Sequence, residues 1–265
     1  MVEPVEPVVP VVPVVVAGPW TVARRAGGLC DHVAMHGTHG THGTHGTGEL
    51  LAVCRVHRLL PDTGSVGVTA IDKRPVDGPV CVRPLGLYAD VQADRENHGG
   101  HDQAVYAYSQ EDADHWAAEL GYEVVPGLFG ENLRTRGLEV SRAVIGQRWR
   151  VGSALLEVSQ PRTPCQTFAR RLGSPPRWVR RFTVANRTGA YLRVVEPGEL
   201  RAGDAVEVVS TPRHGVTLAD WFGASFRLEG SRPAAELAAT LLAEHDAGGS
   251  LLGEEIHALA LRAVG

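Results

Sequence analysis

The run Glu49–Leu60, ELLAVCRVHRLL, is apolar and rich in β-branched residues, and it predicts a strand. SVGVTAIDKRPV (65–76) and GPVCVRPLGLYAD (78–90) follow in the same style, each bounded by Gly or Pro. QAVYAYS (103–109) alternates well enough for a half-buried strand. SQEDADHWAAELG (109–121) predicts a helix, with Ser109 and Asp112 as a capping pair, acids in the first turn and Gly121 as the stop. GQRWRVGSALLEVSQ (146–160) reads as a hairpin turning at Gly152-Ser153. TGAYLRVVEPGELRAGDAVEVVS (188–210) predicts two more strands around the turn Glu196-Pro197-Gly198. Many short strands and few helices imply a mainly β domain, a barrel or strongly curled sheet.

Two flanks break this texture. Residues 1–48 hold a Pro/Val-rich stretch, with prolines at 4, 7, 10 and 13, and then HGTHGTHGTHGTG (36–48). Proline interrupts helices and a Gly at every third position disfavours them, so this part is expected to be an extended or disordered arm. His36, His39, His42 and His45 would share one edge of a polyproline-type chain and could pick up metal loosely. Met35 directly precedes the repeat and is a candidate start of translation. After Pro212, TLADWFG, RPAAELAATLLAEHDAGG and LLGEEIHALALRA have helical spacing, the first capped by Thr217. The expected organisation is an arm over 1–48, a β-barrel domain over 49–212 and a three-helix unit over 213–265. The last would serve packing or dimerisation.

Composition narrows the classes. The net charge of −4 gives no reason to expect nucleic-acid binding. No apolar stretch reads as a membrane span, and the N-terminus lacks the basic segment of a signal peptide. Of 26 basic residues only Lys73 is a lysine. Cys30, Cys54, Cys81 and Cys165 form no CxxC pair, which leaves a structural zinc site unsupported and suits reduced thiols in the cytoplasm.

Candidate chemistry concentrates in QPRTPCQTFARRLG (160–173). Thr163 fits an N-cap, Pro164 the first helical position and Gln166 a capping box, which would put Cys165 in the first turn of a helix. A helix start and nearby Arg162 would stabilise a thiolate. Cys165 also shares a helical face with Phe168, Ala169 and Leu172, so core filling is the competing reading. The polar loop 89–108 carries Asp90, Gln92, His98, His101 and Asp102 around Gly99-Gly100. His98 and His101 with a carboxylate could hold zinc, or the loop could face a ligand or simply solvent. PGLFGENL (126–133) ends on Glu131 and Asn132, which can recognise a ligand or close a turn. Lys73-Arg74 is a second basic spot that, with Arg162, could hold a phosphate.

AIDKRPVDGPVCVRPLGL, QADRENHGGHDQAVYAY, GLFGENL, IGQRWRVGSALLEVSQPRTPC and TGAYLRVVEPGELRAGD, in this order, resemble the MOSC domain family, named for the C-terminus of molybdenum-cofactor sulfurases. The likeness is to its stand-alone, YiiM-like branch, over about residues 50–211, with a matching three-helix tail. It implies a β-barrel that binds the molybdenum cofactor and reduces N-hydroxylated compounds, such as hydroxylaminopurine-type bases, to amines. It implies Cys165 as thiolate ligand to molybdenum. Arg162, Lys73 and Arg74 become candidates for the pterin phosphate, and His98 and Asn132 for cofactor or substrate contacts. With no flavin, nicotinamide or ferredoxin motif, electrons would come from a separate reductase. A carrier of cofactor or sulfur and a zinc hydrolase are the competing functions. Ala89 stands where the family has Gly, so that turn is expected to differ.

Overall fold

The computed structural model describes residues 46–64, 66–93 and 99–265. The Pro/Val stretch, the His repeat up to His45, Met35, Cys30 and His98 lie outside these residues. The chain opens with β1 (Thr47–Val56), β2 (Leu60–Pro61), β3 (Val68–Thr69), β4 (Lys73–Pro75), β5 (Val80–Arg83) and β6 (Gly86–Leu87). Then come β7 (Val105–Ser109), α1 (Gln110–Leu120), β8 (Leu133–Arg136), β9 (Arg148–Val151) and β10 (Ala154–Pro161). The rest is α2 (Gln166–Arg171), α3 (Trp178–Ala185), β11 (Ala190–Glu196), β12 (Gly198–Leu200), β13 (Ala205–Ser210), α4 (Leu218–Ser225), α5 (Ala234–Asp246) and α6 (Glu254–Val264).

Strands β13, β9, β10, β11, β7, β8 and β1 follow one another, and β13 pairs back onto β1, closing a seven-strand barrel. All neighbours are antiparallel except β7 and β8, whose parallel pairing is allowed by the crossover through α1. Every residue of β10 is buried, because one face fills the barrel and the other lies under covering elements. Register shifts along β10 and β1 add the local bends that closure requires.

Ser109 accepts from the Asp112 N–H and Gly121 ends α1 at φ 77°, as the sequence predicts. Thr217 and Asp220 form a full capping box on α4. The β9–β10 hairpin turns at Gly152-Ser153 as expected. Three local expectations change. The segment 65–76 divides into β3 and β4, the first paired with β2 and the second with β1. The segment 188–210 makes three strands, because after Pro197 the chain leaves the barrel and β12 pairs with β5 in a small side sheet. Helix α3 was not expected, although Trp178 and Phe182 stand one turn apart in its sequence.

Two apolar clusters organise the interior. The larger fills the barrel and continues into Leu218, Trp221, Leu237, Leu241 and Ile256 of α4, α5 and α6. The second is aromatic and lies under α1, α2 and α3, with Trp116, Phe129, Phe168, Trp178 and Phe182 in mutual contact. No described helix is long and apolar enough to cross a membrane.

Candidate functional site

A cavity of about 220 Å³ opens beside the end of β10, and Lys73, Asp90, Asn132, Arg162, Cys165 and Tyr191 line it. Four of the six site residues expected from the sequence thus converge: Cys165, Arg162, Lys73 and Asn132. Arg74 does not line it; its exposed side chain stands 3.5 Å from Asp72 instead. His101 is exposed and also outside the lining.

The polar floor is built by one amide. Asn132 bridges β7 and β1: its Oδ1 accepts from the Tyr106 N–H at 3.1 Å and its Nδ2 donates to the Cys54 carbonyl at 3.1 Å. The same Nδ2 reaches Asp90 Oδ2 at 2.7 Å, where Lys73 Nζ also binds at 2.8 Å. The Val56 N–H holds Asp90 Oδ1 at 2.8 Å. Burial alone would raise the Asp90 pKa, but Lys73, Val56 and Asn132 outweigh it and hold the carboxyl below its ordinary range. The chain's only lysine is therefore a neutralised partner within the cavity.

Glu131 is fully buried and closes the turn before β8 by accepting the Gly127 N–H at 2.8 Å and the Phe129 N–H at 3.1 Å. Arg134, also fully buried, pairs with it and donates to the Val124 carbonyl at 2.9 Å. Gly127 has φ +85°, and a Cβ there would fall 2.4 Å from the Lys73 carbonyl oxygen. Only glycine lets the turn press against β4 and fix Lys73. Ala89 keeps the left-handed turn that glycine would favour, at φ 61°. Hydrogen bonds from Tyr88 N to Cys81 O and Asp90 N to Leu87 O hold this strained form.

Cys165 lies at the N-cap of α2, not in its first turn, and the Ala169 N–H bonds to its carbonyl at 3.2 Å. Thr163 is exposed and caps nothing. The reason is tertiary: Phe168 must enter the aromatic cluster, and Asp62 accepts from the Thr167 hydroxyl at 3.0 Å. Asp62 also takes Arg170 through two bonds of 2.8 and 2.7 Å, tying the β2–β3 hairpin to α2 across the cavity rim. With Arg170 as first cause, the Asp62 pKa falls to about 2.

Arg162 is 93% buried (7% exposed) and donates to the Phe129 carbonyl. Its guanidinium carbon stands 4.1 Å from the Phe168 ring centroid and 5.0 Å from that of Tyr106. Burial works against its charge, and the neighbouring Tyr106, Tyr191 and Cys165 restore it. No carboxylate pairs with it among the described residues. A buried cation without a counter-ion is costly unless a ligand supplies the anion. Cys54, by contrast, is fully buried and its thiol is pushed up to about 12, mainly by desolvation.

The described residues contain no group of three or more His, Cys, Asp or Glu that could hold a metal. What the cavity offers is one soft sulfur donor beside an unmatched guanidinium. That set fits a metal delivered on an anionic organic cofactor, with the protein adding a single thiolate.

Fold and cavity together define a closed β-barrel with a cavity lined by Cys165 and buried Arg162, and a helical C-terminal extension. A family model described as the MOSC domain matches residues 94–207. The chain is 35% identical over 150 residues to the uncharacterized protein YflK of Bacillus subtilis (strain 168), covering 57% of this chain and 67% of that one. It is 34% identical over 150 residues to a protein named "Reductase" of Gibberella moniliformis, covering 54% of this chain but 26% of the fungal one. Among solved structures, YiiM from Geobacillus stearothermophilus superposes with a TM-score of 0.64 at 24% identity, covering 82% of this chain and 100% of that one. The chain belongs to the MOSC domain family, as a YiiM-like member, and MOSC domains are associated with molybdenum-cofactor binding.

Proposed function

We propose that the chain is a molybdenum-cofactor-dependent oxidoreductase that reduces N-hydroxylated compounds, of the hydroxylaminopurine type, to amines. The carrying observation is Cys165 beside the buried, carboxylate-free Arg162 in one cavity. Family membership and the fungal relative named as a reductase support the same reading. When bound, the cofactor supplies two-electron redox chemistry at its molybdenum. Cys165 Sγ is the thiolate ligand, and the Arg162 guanidinium takes an anionic group of the cofactor. The Asn132 amide and the Lys73–Asp90 pair present donors and an acceptor that orient a polar heteroaromatic substrate. Tyr191, its phenol kept protonated mainly by burial, holds a proton at Oη in the same cavity. In the overall change the N–O bond breaks, and two electrons and two protons yield amine and water. A separate reductase supplies the electrons. His98 remains a candidate contact, and Arg74 drops from the phosphate set. The same reading sets the chain in a reducing, cytoplasmic compartment.

Elemental analysis of the full chain and its Cys165→Ala variant, made in a cofactor-producing host, is the first test. Near-stoichiometric molybdenum that is lost in the variant is expected. Turnover of 6-N-hydroxylaminopurine with reduced methyl viologen should be lost with it. Absence of molybdenum from both proteins, whatever zinc the His repeat holds, would overturn the reading. Molybdenum without turnover would make the chain a cofactor carrier.

A further inference from the structure

Residues 161–195 contain eight arginines and no aspartate or glutamate, in a chain whose net charge is −4. The fold matches most of these cations with acids from elsewhere. Arg170 meets Asp62, Arg171 meets Asp72, Arg187 meets Asp112, and Arg193 meets Asp102 and Glu157. Arg162 lines the cavity. Arg177 and Arg180 are exposed on and beside α3, with no carboxylate partner among the described residues. They border a shallow, open cleft of about 570 Å³ together with Arg181 and Arg187. Glu119 is the only acid lining it, and it is already engaged by Arg181 at 2.6 Å and His115 at 3.4 Å. Val184, 64% exposed, adds an apolar spot among the cations.

Behind this cleft the packing leads straight to the cysteine cavity. The Arg181 guanidinium stands 6.0 Å from the Trp178 ring. Trp178 is 5.3 Å from Phe168, and Phe168 is 4.1 Å from the Arg162 guanidinium that lines the cavity with Cys165. Three contacts between close-packed side chains join the two places, with no intervening loop. Electron tunnelling falls off steeply with distance, so a donor gains by docking where such a packed route begins.

We infer that the arginine cleft at α3 is the docking surface for an acidic electron-donating protein, a flavoprotein in its reduced form. The inference rests on the reductase reading. The reduced flavin is oxidised by two electrons, and these with two protons convert R–NHOH to R–NH2 and water. Arginine-rich, carboxylate-poor surface attracts an acidic partner and speeds its encounter, an effect that salt screens. The chain's own first 45 residues carry three acids and two arginines, too little net charge to occupy the cleft by attraction.

The test uses the full chain with reduced flavodoxin as the acidic probe, and reads binding and turnover separately. At low ionic strength flavodoxin should bind the wild type, and the double variant Arg177→Glu/Arg180→Glu should weaken binding by about tenfold or more. Raising salt to the physiological range should weaken the wild type and leave the variant little changed. Arg201→Glu, an exposed arginine outside the cleft, should bind as the wild type. With methyl viologen, a small donor that needs no docking, the double variant should turn over substrate as the wild type does. Flavodoxin binding that is absent in the wild type, unchanged in the double variant, or equally weakened by Arg201→Glu would overturn the inference. So would single-stranded DNA that displaces flavodoxin from the wild type. Absence of turnover with methyl viologen in the wild type would instead sink the reductase reading, which the binding data do not depend on.

Discussion

Ala89 shows how much one Cβ can matter. It holds φ 61° in the turn that delivers Asp90 to the cavity, a conformation that costs an L-residue about 1–2 kcal/mol. Ala89→Gly should therefore raise stability by about 1 kcal/mol, less glycine's own entropy, with metal content unchanged; thermal melting and elemental analysis check both. The thiols differ as sharply. Cys54 is sealed and its pKa is pushed up to about 12, whereas Cys165 lines an open cavity. Iodoacetamide at pH 8 should label Cys165 well before Cys54 in the folded protein, read by peptide mass spectrometry. Cys165 was visible from its sequence because a cysteine directly after Pro164 and three positions from Arg162 stands out. Arg162 was visible only as a nearby charge, since nothing local says that it lacks a carboxylate. Glu131 read equally as ligand or turn residue. The structure makes it the turn residue, because both of its oxygens are used by Gly127, Phe129 and Arg134. Glu131→Ala would leave Arg134 buried and unpaired, and should cost about 3–5 kcal/mol in denaturant unfolding.

Among the elements, the β2–β3 hairpin owes its position to one carboxylate. Asp62 binds Arg170 and Thr167 of α2, and its pKa is lowered from the ordinary 3.8 to about 2. A carboxylate with a depressed folded pKa adds stability above the unfolded value and loses it as pH falls through the folded one. The stabilisation is thus complete above about pH 4 and gone below about pH 2. Asp62→Asn should melt below the wild type at neutral pH, and the two melting temperatures should converge as pH falls from 4 to 2. Amide exchange in the hairpin should accelerate in the variant while the barrel stays protected. Elements with their own caps, α1 and α4, were readable because Ser109 and Thr217 act over three residues. The start of α2 was misread because Phe168 and Thr167 are anchored by residues far away in the chain. The sheet change at β12 was missed because its partner β5 lies more than a hundred residues earlier.

For the whole molecule, the C-terminal helices and the barrel share one apolar cluster. Leu241 of α5 is fully buried in it, so Leu241→Ala should cost about 2–5 kcal/mol. Barrel and helices should melt in a single transition, with coincident near- and far-ultraviolet circular dichroism; separate transitions would show independent units. Further links cross the junction: Gln160 donates to Glu255 at 2.6 Å, and the Glu254 N–H to Asp102 at 3.0 Å.

The sequence alone determined what depends on neighbours in the chain: strand-rich texture, the β9–β10 hairpin, the caps of α1 and α4, the helical C-terminus and the prominence of Cys165. Order and spacing of five motifs also carried the family. Only the tertiary structure decided which polar groups meet. It neutralised Lys73 with Asp90, sent Arg74 to Asp72, spent Glu131 on a turn and left Arg162 without a carboxylate partner among the described residues. The physical reason is that pairing of charges and burial are set by through-space distance: Lys73 meets Asp90 across 17 positions, and even the near pairs, Arg74 with Asp72 and Glu131 with Arg134, depend on how the folded backbone aims their side chains.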